Sequence, residues 1–99
     1  MENVFDSYSG LIQRLLDHEM SSKEFQATYM RKFLDEVRPM DEALFLLLDE
    51  LFGDVESCTD NPELLAKDPD FYLDVDQLER KARSVLQRMR DWHGRQIIA

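Results

Sequence analysis

Residues 41–57 read DEALFLLLDELFGDVES. Ala43, Leu44, Leu47, Leu48, Leu51, Phe52 and Val55 recur in steps of three and four, the repeat of one face of an α-helix. Asp41 stands where an N-cap accepts a backbone N–H, and Glu42 adds negative charge to the first turn, where the helix dipole favours it. Phe45 and Leu46 widen the apolar face, so this helix is expected at the centre of the fold, covered on more than one side. Gly53 falls inside the pattern, as a kink or a point of close approach. Asp49, Glu50, Asp54 and Glu56 fill the remaining polar arc.

Upstream, Ser21 with Glu24 three residues on forms a capping box. Phe25, Tyr29, Phe33 and Val37 follow at i+4 spacing and predict a second helix with an aromatic core stripe. It is expected to stop near Val37, because Pro39 drives Arg38 out of helical geometry. Val4, Phe5, Tyr8, Leu11, Ile12, Leu15 and Leu16 predict a first helix over about residues 3–19. Downstream, Pro62 and Pro69 forbid one continuous helix through residues 57–73, although Pro62 suits the start of a single turn that buries Leu64 and Leu65. Asp74 with Gln77 is a second capping box, with Leu73 placed to staple onto Leu78. Leu78, Ala82, Val85, Leu86, Met89 and Trp92 mark the last helix; Gly94 is expected to end it in a left-handed cap, with Arg95–Ala99 frayed. The expected architecture is all-α: one domain over residues 1–99, an antiparallel four-helix bundle with a long acidic loop between its third and fourth helices.

Composition narrows the function classes. Cys58 is the only cysteine of the 99 residues, so no internal disulfide forms, which favours a reducing, cytoplasmic setting. The start, Met1-Glu2-Asn3-Val4, lacks the basic and apolar regions of a signal peptide. The longest apolar run, Ala43 to Leu48, is far short of the ~20 residues that span a bilayer, so no membrane partner is expected. The net charge of −9 is unevenly spread: residues 35–79 carry fifteen acids against Arg38 and Lys67, whereas residues 80–99 carry six bases against Asp91. Such a field disfavours direct nucleic-acid binding and attracts basic partners.

Catalytic and metal chemistry find little support. Asp68, Asp70, Tyr72, Asp74 and Glu79 match ligand positions of a calcium loop, but Leu73 stands where that loop turns on glycine and Asp74 is wanted as a cap. His18 and His93 have no partner at zinc-ligand spacing. Cys58 sits among acids, which suppress the thiolate. Asp49 and Glu50 diverge by roughly 100° around their helix, so they make no acid/base pair. No cofactor is expected, and the chain is not expected to be an enzyme. What remains is the strip from Asp49 to Asp76, interrupted by Lys67 alone: Asp49, Glu50, Asp54, Glu56, Asp60, Glu63, Asp68 and Asp70 are its candidate partner-binding acids. Solubility alone is served by interspersed signs; an unbroken strip repels itself and fits a basic partner.

Asp49-Glu50-Leu51-Phe52, Val55-Glu56, an acidic proline-containing loop, and Phe71-Tyr72-Leu73-Asp74 leading into Leu78, Val85 and Leu86 resemble the family of the colicin D immunity protein, the small bacterial self-protective immunity proteins. The N-terminal half agrees more loosely, through Glu24-Phe25 opening the second helix. The resemblance implies a four-helix bundle that binds the nuclease domain of a tRNA-cleaving toxin and presents acids to its basic substrate cleft. Carried over by position, Glu50, Glu56 and Asp60 match acids of the family pattern; Asp54 and Asp68 rest on charge alone. The loop is longer here than in the colicin D member, which leaves open a contact-dependent inhibition toxin as the partner. The implied protein is a monomer when free. The rival readings are a helical adaptor with an acidic docking face for a non-toxin basic partner, and a small enzyme using Asp/Glu chemistry.

Overall fold

The computed structural model describes residues 3–98, with the side chains of residues 97 and 98 left aside; Ala99, in the expected frayed tail, lies outside them. Five helices make up the fold: α1 (Val4–Leu16), α2 (Ser22–Leu34), α3 (Glu42–Ser57), α4 (Pro62–Lys67) and α5 (Val75–Ile98). No strand occurs among the described residues; a single isolated parallel bridge joins Cys58 to Leu73. The short helix α4, which starts at Pro62, lies inside the segment expected as loop.

Both capping boxes form. Ser21 Oγ accepts the Glu24 N–H at 3.1 Å while Glu24 accepts that of Ser21, and Asp74 and Gln77 exchange the same pair of bonds at 2.8 and 2.9 Å. Asp41 caps α3 by accepting the Ala43 N–H at 2.9 Å. The first helix ends earlier than residue 19 because His18 adopts a left-handed φ of 59°. The His18 N–H then reaches the Leu15 carbonyl and the Glu19 N–H that of Arg14. This is the paired closure that usually calls for glycine.

α3 packs on α5 and α2, and α1 packs on α5 and α2, so these four helices close a ring around one core. Tyr8, Ile12, Phe25, Tyr29, Leu48, Leu51, Val55, Leu78, Val85 and Met89 are buried in it. Ends meet in a consistent sense: Phe5 at the start of α1 stacks on His93 near the end of α5, at 4.0 Å, and Phe33 at the end of α2 lies 5.7 Å from Phe45 at the start of α3. Polar ties cross between helices here too: the Tyr29 hydroxyl donates to the Leu48 carbonyl at 2.7 Å, and the Tyr8 hydroxyl to the Lys32 carbonyl at 3.2 Å.

The structure corrects four expectations. Val37 does not extend the stripe of α2; it is 90 % exposed, because the helix stops at Leu34 and the period with it. Glu36 turns inward instead, beside the Tyr8 hydroxyl, where the Arg38 guanidinium donates to it twice at 2.8 Å. Phe45 and Leu46 are not covered; α3 has its main neighbours on two sides only, leaving these two residues 42 and 57 % exposed, and Ala43 exposed as well. α4 only half-buries Leu64 and Leu65. Gly94 takes no positive φ, so it makes no left-handed cap, and α5 runs on to Ile98 beyond half-buried Trp92 and the stack of His93 on Phe5.

Leu48→Ala is expected to cost about 2–5 kcal/mol in urea unfolding, the range for an aliphatic truncation at a sealed site. Arg38 holds the Glu36 carboxyl down at about 2 from 4.5. A depressed carboxylate contributes stability above its unfolded value and loses it as pH falls through the folded one. Glu36→Gln is therefore expected to be less stable than wild type at pH 7 and to lose less on acidification between about pH 4.5 and 2, measured by Tm against pH.

Candidate partner-binding surface

The acid-bearing segment after α3 is held at both ends. The Leu73 N–H donates to the Ser57 carbonyl and the Thr59 N–H to the Leu73 carbonyl, each at 2.9 Å, so the chain leaves and returns through one point. Inside this closure Thr59 Oγ1 accepts the Asn61 N–H at 3.1 Å, and Asn61 caps α4 by accepting from Glu63 and Leu64 at 2.9 and 3.4 Å. Pro62 occupies the first turn, where its missing N–H costs nothing. Asp68 then turns the chain: its side chain and its carbonyl both accept the Phe71 N–H, at 3.2 Å each. A segment with four acids is thus ordered locally, by its own caps, with half-buried Leu64 and Leu65 as anchors.

The eight candidate acids divide into three groups. Asp60, Glu63, Asp68 and Asp70 lie exposed on the closed segment. Asp60 approaches Lys23 at the start of α2 to 3.5 Å, with both side chains largely in water, so the contact adds little stability. Between them lies a cleft of about 380 Å³ lined by Ser21, Ser22, Gln26 and Cys58. Asp49 and Glu56 are exposed on α3, seven residues and two turns apart, about 10 Å along its axis.

Glu50 and Asp54, one turn apart, face the seam with α5. The Arg88 guanidinium forks onto Glu50, donating through Nη1 to Oε1 at 3.0 Å and through Nη2 to Oε2, which lowers the carboxyl below its usual range. Asp54 has the opposite fate. One of its oxygens, Oδ2, is buried with no hydrogen-bond partner, and burial raises its pKa although Lys81 and Arg88 pull the other way. The sequence contained the signal for this seam, since Lys81 and Arg88 lie two turns apart on α5 as Glu50 and Asp54 do one turn apart on α3.

The remaining reactive groups have structural settings. Burial raises the Cys58 thiol, a hydrogen bond with Ser22 offsets part of that rise, and Asp74 and Asp60 add smaller increases. His93 is stacked on Phe5 and His18 closes α1. Among the described residues no three His, Cys, Asp or Glu side chains converge as metal ligands, and no helix is long and apolar enough to cross a membrane.

Six of the eight candidate carboxylates are therefore exposed on a locally braced frame. The family model for bacterial self-protective colicin-like immunity matches residues 4–89 of the chain. Neither a curated protein nor a solved structure matches.

An unpartnered buried carboxylate oxygen costs free energy in the ionised form, and for a raised carboxyl that cost is present at neutral pH and disappears as the group protonates. Asp54→Asn is expected to stabilise the protein by about 1 kcal/mol at pH 7 and to gain progressively less as pH falls, by paired thermal melts.

Proposed function

We propose that this chain, which belongs to the bacterial self-protective colicin-like immunity family, binds and inhibits a nuclease toxin of the tRNase type by presenting carboxylates to the toxin's basic substrate cleft. Family membership implies a cognate toxin as partner; the kind of toxin and the mode of inhibition are our reading. The observation that carries it is the exposed acid set, Asp49 and Glu56 on α3 with Asp60, Glu63, Asp68 and Asp70 on the closed segment, in a stretch from Asp49 to Asp76 whose one base is Lys67. A cleft that holds tRNA must be lined with Lys and Arg to bind phosphates, so carboxylates held on a rigid frame compete for the same groups.

The fold that goes with this reading is an antiparallel four-helix bundle of α1, α2, α3 and α5, with the acidic segment and its short α4 standing off one end. In such a protein Glu50 and Asp54 serve the α3–α5 seam, and contact falls to the outward acids. Electrostatic attraction speeds capture, which suits an inhibitor that must reach its toxin in the cytoplasm before tRNA does. The toxin source, a colicin-type bacteriocin or a contact-dependent inhibition effector, changes nothing in this chemistry.

Glu56→Gln and Asp60→Asn remove charge with little change of shape. Each is expected to leave Tm nearly unchanged and to weaken toxin binding by about 2–5 kcal/mol where its carboxylate meets a desolvated Lys or Arg. At the rim of the contact the same change slows association and flattens the salt dependence. Asp17→Asn, on α1, is the control. Binding kinetics against the toxin encoded beside this chain's gene decide the matter; wild-type kinetics for both variants would falsify the acidic-face reading.

A further inference from the structure

Gly53 has no task inside the fold. No glycine among the described residues has a positive φ, α3 runs unbroken through this position from Glu42 to Ser57, and a Cβ added here would meet nothing within 4 Å. Glycine inside a helix is less stable than alanine, because it surrenders more backbone freedom on folding. Neither a left-handed turn nor a close helix crossing calls for a glycine here.

Gly53 does have a place on an exposed ridge. At roughly 100° per residue, Leu46 lies on the same line two turns earlier, Asp49 one turn earlier and Ser57 one turn later. Leu46 is 57 % exposed, and Asp49 and Gly53 are exposed too. Glu56 borders the same line. The ridge is an apolar knob, then a carboxylate, then bare main chain, then another carboxylate at its edge. Among the described residues neither Asp49 nor Glu56 forms an ion pair, so both charges stand free for a basic partner.

We propose that a main-chain segment of the cognate toxin lies directly against α3 at Gly53, packed beside Leu46, with basic side chains of that segment reaching Asp49 and Glu56. This rests on the acidic-face reading above and adds to it a point of backbone contact. Charge complementarity selects a basic protein as the occupant, and the missing side chain sets how closely it approaches. Glycine is then kept at the cost of helix stability because any side chain holds the partner off.

The test uses the toxin domain encoded beside this chain's gene, immobilised, with Gly53→Ala and Gly53→Gln as analytes. Gly53→Ala is expected to raise Tm by about 4–8 °C, since a better helix former replaces glycine in open space. The same change is expected to weaken binding about tenfold, with Gly53→Gln weaker again, because atoms are forced into a packed contact. Ala27→Gln, adding similar bulk on the exposed side of α2, is expected to bind as wild type. Wild-type binding by both Gly53 variants overturns the proposal; if Asp49→Asn and Glu56→Gln still weaken binding, the acidic face stands without this contact. A fall in Tm for Gly53→Ala also overturns it, by showing that the fold itself needs the glycine.

Discussion

Two main-chain hydrogen bonds, from Leu73 to Ser57 and from Thr59 to Leu73, close the chain on itself between the end of α3 and the start of α5. They fix where α5 begins relative to α3, and the rest of the arrangement follows. α5 lies along α3 so that Arg88 meets Glu50, and its far end brings Trp92 and His93 onto Phe5. The residues between the closure points have little core to fold around, so their order comes from caps and turns within a dozen residues. Carboxylates placed on such a segment lose little further freedom when a partner arrives, and that preorganisation favours tight binding.

α3 answers three demands at once. Leu44, Leu48, Leu51 and Val55 fill the core. Glu50 and Asp54 serve the seam with α5, at some expense where an Asp54 oxygen is sealed without a partner. Asp49, Gly53 and Leu46 look outward and serve nothing within the chain. A helix selected for stability alone would carry neither an unpaired buried carboxylate oxygen, a mid-helix glycine in open space, nor an exposed leucine. Under the proposed function, these departures make α3 the element where folding and binding compete.

Much of this was readable in the sequence, for identifiable reasons. Strong periodicity and two capping boxes located α1, α2, α3 and α5, since local rules suffice where one face is buried and the ends are capped by neighbours in sequence. The resemblance to immunity proteins, carried by Asp49-Glu50-Leu51-Phe52 and Phe71-Tyr72-Leu73-Asp74, agrees with the family that the chain belongs to. Long-range facts were not readable. Val37 matched the period of α2, but Glu36 and Arg38 settle the chain beyond Leu34 through a tertiary contact with Tyr8. The Cys58–Leu73 bridge joins residues fifteen apart with no side-chain signature, so the loop gave no sign of being closed. Within the acidic strip, composition could not separate the carboxylates that face α5 from those left exposed; the position of Arg88 and Lys81 across the seam does that.

Competition between the chain and tRNA for the toxin is the most direct test of the proposed function. A toxin domain loaded with fluorescently labelled, uncleavable tRNA is titrated with this protein while tRNA release is followed by anisotropy. Occupation of the substrate cleft predicts complete displacement, with an apparent affinity for the chain that falls in proportion to the free tRNA concentration. A stable ternary complex of toxin, tRNA and this protein would contradict the account and place inhibition away from the cleft.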